Sequence, residues 1–165
     1  MNLTKTTRPK FPRGYVDKPV SYLNWDWVAA QLTEAENYWL CSVRPDGRPH
    51  VIPRWAVFVA GKIYYDGSPE TRHNRNIQLN PSISVHLESG REAVMLEGTS
   101  RPAKKPSPEL GKKLSEAYKK KYKEFGYAPE PNSWDEGGLY VFTPRQCIAW
   151  SKFNEDPTKF IFQEE

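Results

Sequence analysis

A chain of 165 residues can bury one core but is too short for two full domains, and 38% hydrophobic against 27% charged residues excludes a disordered chain. The net charge of +4 comes from two segments: residues 1–20 hold five Lys or Arg against one Asp, and residues 101–124 hold nine against three Glu. A basic arm and one basic helix are expected to be solvated faces, with no nucleic-acid partner.

No apolar run approaches the ~18 residues of a membrane span, and the start MNLTKTTRPK lacks the apolar stretch of a signal peptide. A cytoplasmic protein without a membrane partner is expected. Cys41 and Cys147 stand far apart with no paired metal or dithiol spacing, and both are expected reduced and buried.

In chain order, residues 1–20 carry Pro9, Pro12 and Pro19 among basic residues and read as an extended arm, with residues 21–165 as the domain. Trp25, Val28, Ala29 and Leu32 recur at helical spacing after Asn24 and predict a helix that plugs a sheet. Strands are predicted over Tyr38–Val43, Pro49–Val59 and Lys62–Tyr65, joined by turns at Pro45-Asp46-Gly47 and Ala60-Gly61. Pro53 within the long second strand requires an edge position, a bulge or a bend. A short helix Arg72–Leu79 follows, then strands near Ser82–Glu88 and Glu92–Ala103. Ser107-Pro108 opens the basic helix, which ends before Gly126, and Tyr127–Gly138 reads as a loop. Three last strands are predicted at Leu139–Thr143, Cys147–Lys152 and Lys159–Phe162, with a turn at Thr143-Pro144-Arg145. The sum is a mainly β chain, a barrel of about seven or eight mostly antiparallel strands with peripheral helices, because closing such a sheet removes exposed edges.

Two stretches carry candidate chemistry. Thr71, Arg72, His73 and Arg75 stand at a helix start, where free N–H groups and the positive dipole end suit a phosphate; the alternative is an ordinary solvated helix face. On the second strand, alternation puts His50, Ile52 and Arg54 on one face and Val51, Pro53 and Trp55 on the other. These residues either line a groove, with a bulge needed to bring Arg54 beside Trp55, or serve as core filler and surface charge. His50, His73 and His86 have no metal-ligand spacing, and the chain lacks a nucleophile elbow, a phosphate-binding GxxxxGK loop and a dinucleotide-binding GxGxxG.

The runs NYWLCSVRPDGRPHVIPRW, KIYYDGSPETRHNRNIQLNPSISVHL, AVMLEGTSRPA and AWSKFNEDPTKFIF resemble the flavin-binding split barrels of the pyridoxamine 5'-phosphate oxidase superfamily, over roughly Trp25 to Phe162. The resemblance is closest to the branch of flavin and deazaflavin (coenzyme F-420) dependent oxidoreductases. It implies a homodimeric split β-barrel that binds FMN or F-420 in grooves at the subunit interface and acts on a small-molecule redox substrate. It further implies that His50, Val51, Ile52, Pro53 and Trp55 flank the ring, that Tyr65 and Asp66 continue the groove, and that Thr71, Arg72, His73 and Arg75 hold the phosphate. Trp150 and Lys159 would reach the site from the C-terminal strands. The chain departs from the family pattern at His73, where many relatives carry Lys. It also lacks the Arg near His50 and the Lys near Trp55 that serve pyridoxamine phosphate oxidation itself. A non-catalytic flavin or haem binder is the second reading, and a small basic nucleic-acid-binding barrel the third.

Overall fold

Alternation along Asn37–Val43 buries Tyr38, Leu40 and Ser42 and leaves Trp39, Cys41 and Val43 half-buried or exposed, the period-two pattern of a sheet with one open face. In the computed structural model, residues 2–16 and 20–163 are described. Among them, nine strands form one antiparallel sheet with three α-helices. The elements are β1 (Leu3–Thr7), α1 (Trp25–Glu34), β2 (Asn37–Val43), β3 (Pro49–Trp55), β4 (Val57–Val59), β5 (Lys62–Asp66), α2 (Arg72–Leu79), β6 (Ser82–His86), β7 (Ala93–Pro102), α3 (Pro108–Tyr122), β8 (Leu139–Trp150) and β9 (Thr158–Phe162). The mainly β architecture expected from the sequence is found, with nine strands in place of seven or eight.

The strand order β1-β9-β8-β7-β6-β2-β3 is joined by a β4–β5 hairpin whose β5 pairs with β8. β8 therefore serves three neighbours. Its whole length runs beside β7, while on its other edge Leu139–Phe142 pair with β5 and Gln146–Ala149 pair with β9. The predicted turn at Thr143-Pro144-Arg145 is corrected by this geometry, because the three residues continue one strand. The register shifts there, with Gln146 opposite Glu97 and Pro144 opposite Gly98, so that Arg145 is an extra residue. A bulge is one of the few places where a strand accepts proline.

The predicted long strand Pro49–Val59 is interrupted at Ala56, where β3 gives way to β4. β3 keeps unbroken register with β2 from Asn37↔Trp55 to Val43↔Pro49. Of the three options for Pro53, the edge position is realised, since β3 ends the strand order and pairs with β2 alone. The N-terminal arm lies on the domain as β1, antiparallel to β9. Met1, Asp17, Lys18 and Pro19 of that arm, and Glu164 and Glu165 at the other end, lie outside the described residues.

The helices close the sheet by burial of one face each. Asn24 caps α1 by accepting from Asp26 N at 3.0 Å, and Val28 and Leu32 enter the main core while Trp25 meets Phe160 and Phe162 edge-on. Ser107 caps α3 by accepting from Leu110 N at 3.2 Å. α3 buries Leu114, Tyr118 and Tyr122 in a second cluster with Val57, Tyr64, Trp134 and Leu139. Lys121 turns inward from this basic helix and donates to Ala35 O at 2.7 Å and Tyr38 Oη at 3.0 Å, and burial draws its pKa down to about 8.

Gly98 makes the bulge possible, because a Cβ there would run into the backbone of Thr143 and lie 2.9 Å from Pro144 Cα. Gly98→Ala is therefore expected to cost about 1–3 kcal/mol of stability in urea unfolding, the usual range for overpacking. Gly90→Ala, where nothing lies within 4 Å, should stay within about 0.5 kcal/mol.

Candidate functional site

β5 ends at Asp66, and five residues carry the chain into α2. The carbonyl of Ser68 organises this corner: it accepts from Thr71 N (3.2 Å), Thr71 Oγ1 (3.0 Å) and Asn74 Nδ2 (2.9 Å). Thr71 stands at the cap position of α2, yet its side chain does not bond the first-turn amides. Helix starts leave such N–H groups unpaired unless a side chain, water or ligand takes them. The Thr71 hydroxyl is thus donated to the Ser68 carbonyl and lies 3.4 Å from His73 Nε2, and it does not cap the helix.

Basic groups gather around this corner. His50 lies within the electrostatic reach of Arg44 and Arg72, and His73 within that of Arg54 and His50. Burial, followed by these like charges, lowers both imidazole pKa values, His73 to about 4. Near pH 7 the positive charge is therefore held by arginines, with the imidazoles neutral. Arg44 Nε, His50 Nε2 and Arg54 Nε are all buried without a hydrogen-bond partner. Among the described residues no carboxylate pairs with Arg44, Arg54 or Arg72.

Asp66 is the nearby acid, and it is engaged elsewhere. Its Oδ2 accepts from the Tyr127 hydroxyl and from Trp134 Nε1 at 3.3 Å, while its backbone carbonyl accepts from Arg54 Nη2. These bonds fasten the segment between α3 and β8 to the end of β5, helped by Gly67 N donating to Gly138 O at 3.0 Å. Two hollows flank the contact. One, of about 290 Å³, is lined by Asn37, Pro53, Arg54, Trp55, Asp66 and Tyr127. The other, of about 440 Å³, lies on the far side of Asp66 and Tyr127 against Trp134 and Gly138. Arg54 and Trp55 thus share a hollow without the bulge that alternation required, because the strand ends at Ala56 immediately beyond them.

The sequence-derived residues separate into four groups. His50, Ile52, Pro53, Trp55, Asp66, Thr71 and Arg72 lie along β3 and the β5–α2 corner, with Val51 exposed on the same face of β3 as Pro53 and Trp55. Tyr65 and His73 are wholly buried; the Tyr65 hydroxyl bonds Ser100 Oγ at 2.8 Å and its ring stacks on Tyr140. They form the wall behind the corner. Arg75 is exposed, and no hydrogen bond or ion pair joins its side chain to the cluster. Trp150 and Lys159 belong to β8 and β9, toward the opposite end of the strand order from β3, so one chain does not bring them to the corner by strand adjacency. Arg44 and Tyr127 were not among the sequence-derived residues, whereas Arg54 was read as either a groove residue or a surface charge. Tyr127 lies 61 residues from Asp66, a separation at which spacing carries no signal.

With this geometry in view, the sequence profile described as pyridoxamine 5'-phosphate oxidase matches residues 25–151. The chain belongs to that family. The match takes in β2 to β8, hence the corner, the arginines and both hollows. No curated protein matches the chain. Among solved structures, the pyridoxamine 5'-phosphate oxidase fold is shared with an F420 reductase (TM-score 0.54, 20% identity, 83% of this chain and 98% of that one). It is shared too with the conserved hypothetical protein Rv2991 from Mycobacterium tuberculosis (0.62, 18%, 86% and 89%) and with HutZ, a haem storage protein from Vibrio cholerae (0.57, 17%, 78% and 95%).

His73 makes a test of the corner's electrostatics. A buried imidazole held near 4 against its ordinary 6.5 binds a proton in the unfolded chain first, so stability falls as pH drops from about 6.5 toward about 4. The expected loss is of the order of 2–3 kcal/mol, and His73→Asn should flatten it. Unfolding free energies across that range, with an NMR titration of His73, check both the window and the sign.

Proposed function

We propose that this chain is an oxidoreductase that uses FMN or the deazaflavin coenzyme F-420, works as a homodimer and acts on a small planar substrate. The observation that carries the reading is the cluster of Arg44 and Arg72 with His50 at the start of α2, in which Arg44 Nε and His50 Nε2 are buried without a partner and, among the described residues, no carboxylate pairs with either arginine. Unpaired buried donors are costly, and a phosphate would satisfy them. Arg72, Arg44, His50 and the first amides of α2 would hold the phosphate. The open edge of β3 would run along the ring, and Trp55, stacked on Tyr122 at 4.9 Å, would exclude water from one side.

When bound, such a cofactor supplies the transfer of a hydride or electron pair at its central ring. The chain's own part is then binding, orientation and exclusion of water, and no residue is assigned a proton-transfer role. The F420 reductase neighbour favours a deazaflavin, whereas the family itself favours FMN. Oxidation of pyridoxamine 5'-phosphate is not proposed, since Trp55 offers no cation where that reaction's relatives carry Lys.

A second copy of the chain is part of the proposal. The sheet face away from the core leaves Trp39, Cys41, Met95, Ile148 and Ile161 half-buried and Val43 and Val51 exposed at 41% and 50%, an apolar surface suited to a partner. A homodimer across it would bring the partner's Trp150 and Lys159 toward β3. A nucleic-acid role gains no support from the basic helix, whose Lys112, Lys113, Lys119 and Lys120 pair with Glu116, Glu109, Glu130 and Glu34.

Titration of the purified protein with FMN, F-420 and haemin, followed by absorbance, is the test. One of the first two should bind at micromolar level, with Arg72→Ala weakening it roughly 10- to 100-fold, as the loss of about 1.5–3 kcal/mol predicts. A bound cofactor that no donor reduces and no acceptor reoxidises would favour storage instead. Haemin binding with neither FMN nor F-420 bound would overturn the reading. Val51→Glu should shift the dimer toward monomer in sedimentation experiments.

A further inference from the structure

The hollow between β3 and Tyr127 has the construction of a binding site for a single ring. Its volume of about 290 Å³ sits at the small end of ligand pockets, which run from about 300 to 1,000 Å³. Its walls are flat and fixed: Trp55 is backed by Tyr122 at 4.9 Å with ring planes 15° apart and touched by Phe125 at 5.6 Å. The Tyr127 ring stands 6.3 Å from that of Trp55 and is anchored through its hydroxyl to Asp66.

The segment that carries Tyr127 is fastened along its length as well. Ser115 Oγ donates to Pro129 O at 2.8 Å, Lys119 pairs with Glu130 and Lys105 with Asp135. A Cβ on Gly111 would strike the carbonyl of Pro131, so α3 packs directly against this stretch. The wall is therefore built before any ligand arrives.

The polar side of the hollow is unbalanced. Arg54 spends Nη2 on the backbone carbonyl of Asp66 and leaves Nε buried without a partner. Asp66 does not pair with it through the carboxylate, which Tyr127 and Trp134 occupy. Gly67 permits the guanidinium to lie this close, since a Cβ there would stand 3.2 Å from Arg54 Nη2. A planar guanidinium with its Nε–H unpartnered beside a flat aromatic wall matches a planar oxyanion.

We propose that this hollow binds a small planar carboxylate, a conjugated acid of one ring, with its carboxylate on Arg54 and its ring against Trp55. Its identification as the substrate pocket rests on the oxidoreductase reading, because the hollow adjoins the strand along which the cofactor ring would lie. The binding itself does not, and it can be measured without cofactor.

Calorimetric titration of the full chain with benzoate and with benzamide, in the absence and presence of FMN or F-420, separates the two. Benzoate should bind at least tenfold more tightly than benzamide, and the Arg54 Nε–H resonance should move on its addition. Arg54→Gln should abolish the preference and Arg54→Lys should retain part of it. Equal binding of acid and amide, or benzoate binding untouched by Arg54→Gln, overturns the inference. Because the acid–amide comparison uses the unaltered protein, a variant that fails to fold does not rescue it. Cofactor binding without benzoate binding overturns this inference and leaves the cofactor reading standing; benzoate binding without cofactor binding does the reverse.

Discussion

The constraint on which the rest of this structure depends is the sharing of β8 among three strands. One edge is filled by β7, and the other by β5 along Leu139–Phe142 and by β9 along Gln146–Ala149. Two short strands thus split one long edge, and the extra residue at Arg145, opposite Gly98, lets the ladder shift between them. Strand edges left open invite pairing with other chains, so this division closes the barrel around one core. It also fixes the end of β5, and the functional corner begins at the last residue of β5.

From there the chemistry follows from packing. Asp66 at the end of β5 fastens Tyr127 and Trp134 with its carboxylate and Arg54 with its carbonyl. That leaves the acid committed and the arginine in surplus. A charge in a half-buried place without a counterion is costly, and folded proteins keep such costs where function uses them. The same reasoning applies to His73 and Tyr65, which burial keeps neutral behind the corner and which therefore shape it without charging it. The family membership explains why a barrel of this kind is found here, but the surplus of donors is what selects an anionic ligand.

Much of the fold was legible in local pattern. Alternation placed β2, β3 and β5, helical spacing placed α1, and capping residues placed the starts of α1 and α3 at Asn24 and Ser107. The misreadings differ in origin, and no local signal marks the break at Ala56 within the strand read as Pro49–Val59. Pro144 read as a turn because the sequence does not display the bulge that admits it, and Pro53 allowed three outcomes because edge position is a property of the whole sheet. At the site, helix-start chemistry pointed to Thr71 and Arg72, and of that reading only the side-chain cap at Thr71 is not made, since its hydroxyl goes to the carbonyl of Ser68. The Asp66–Tyr127 contact and the gathering of Arg44 with His50 and Arg72 are tertiary events. Charge alone could not assign them, since a lone arginine on a strand reads equally as surface or site.

The central claim is that the surplus positive charge at the start of α2 is an anion site of the cofactor. A crystal structure of the protein grown with FMN or F-420 addresses it most directly. The account predicts phosphate density within hydrogen-bond distance of Arg72 and of the first amides of α2, with the ring running along β3. Phosphate density elsewhere on the barrel, with Arg44 Nε and His50 Nε2 still unpartnered, would contradict it.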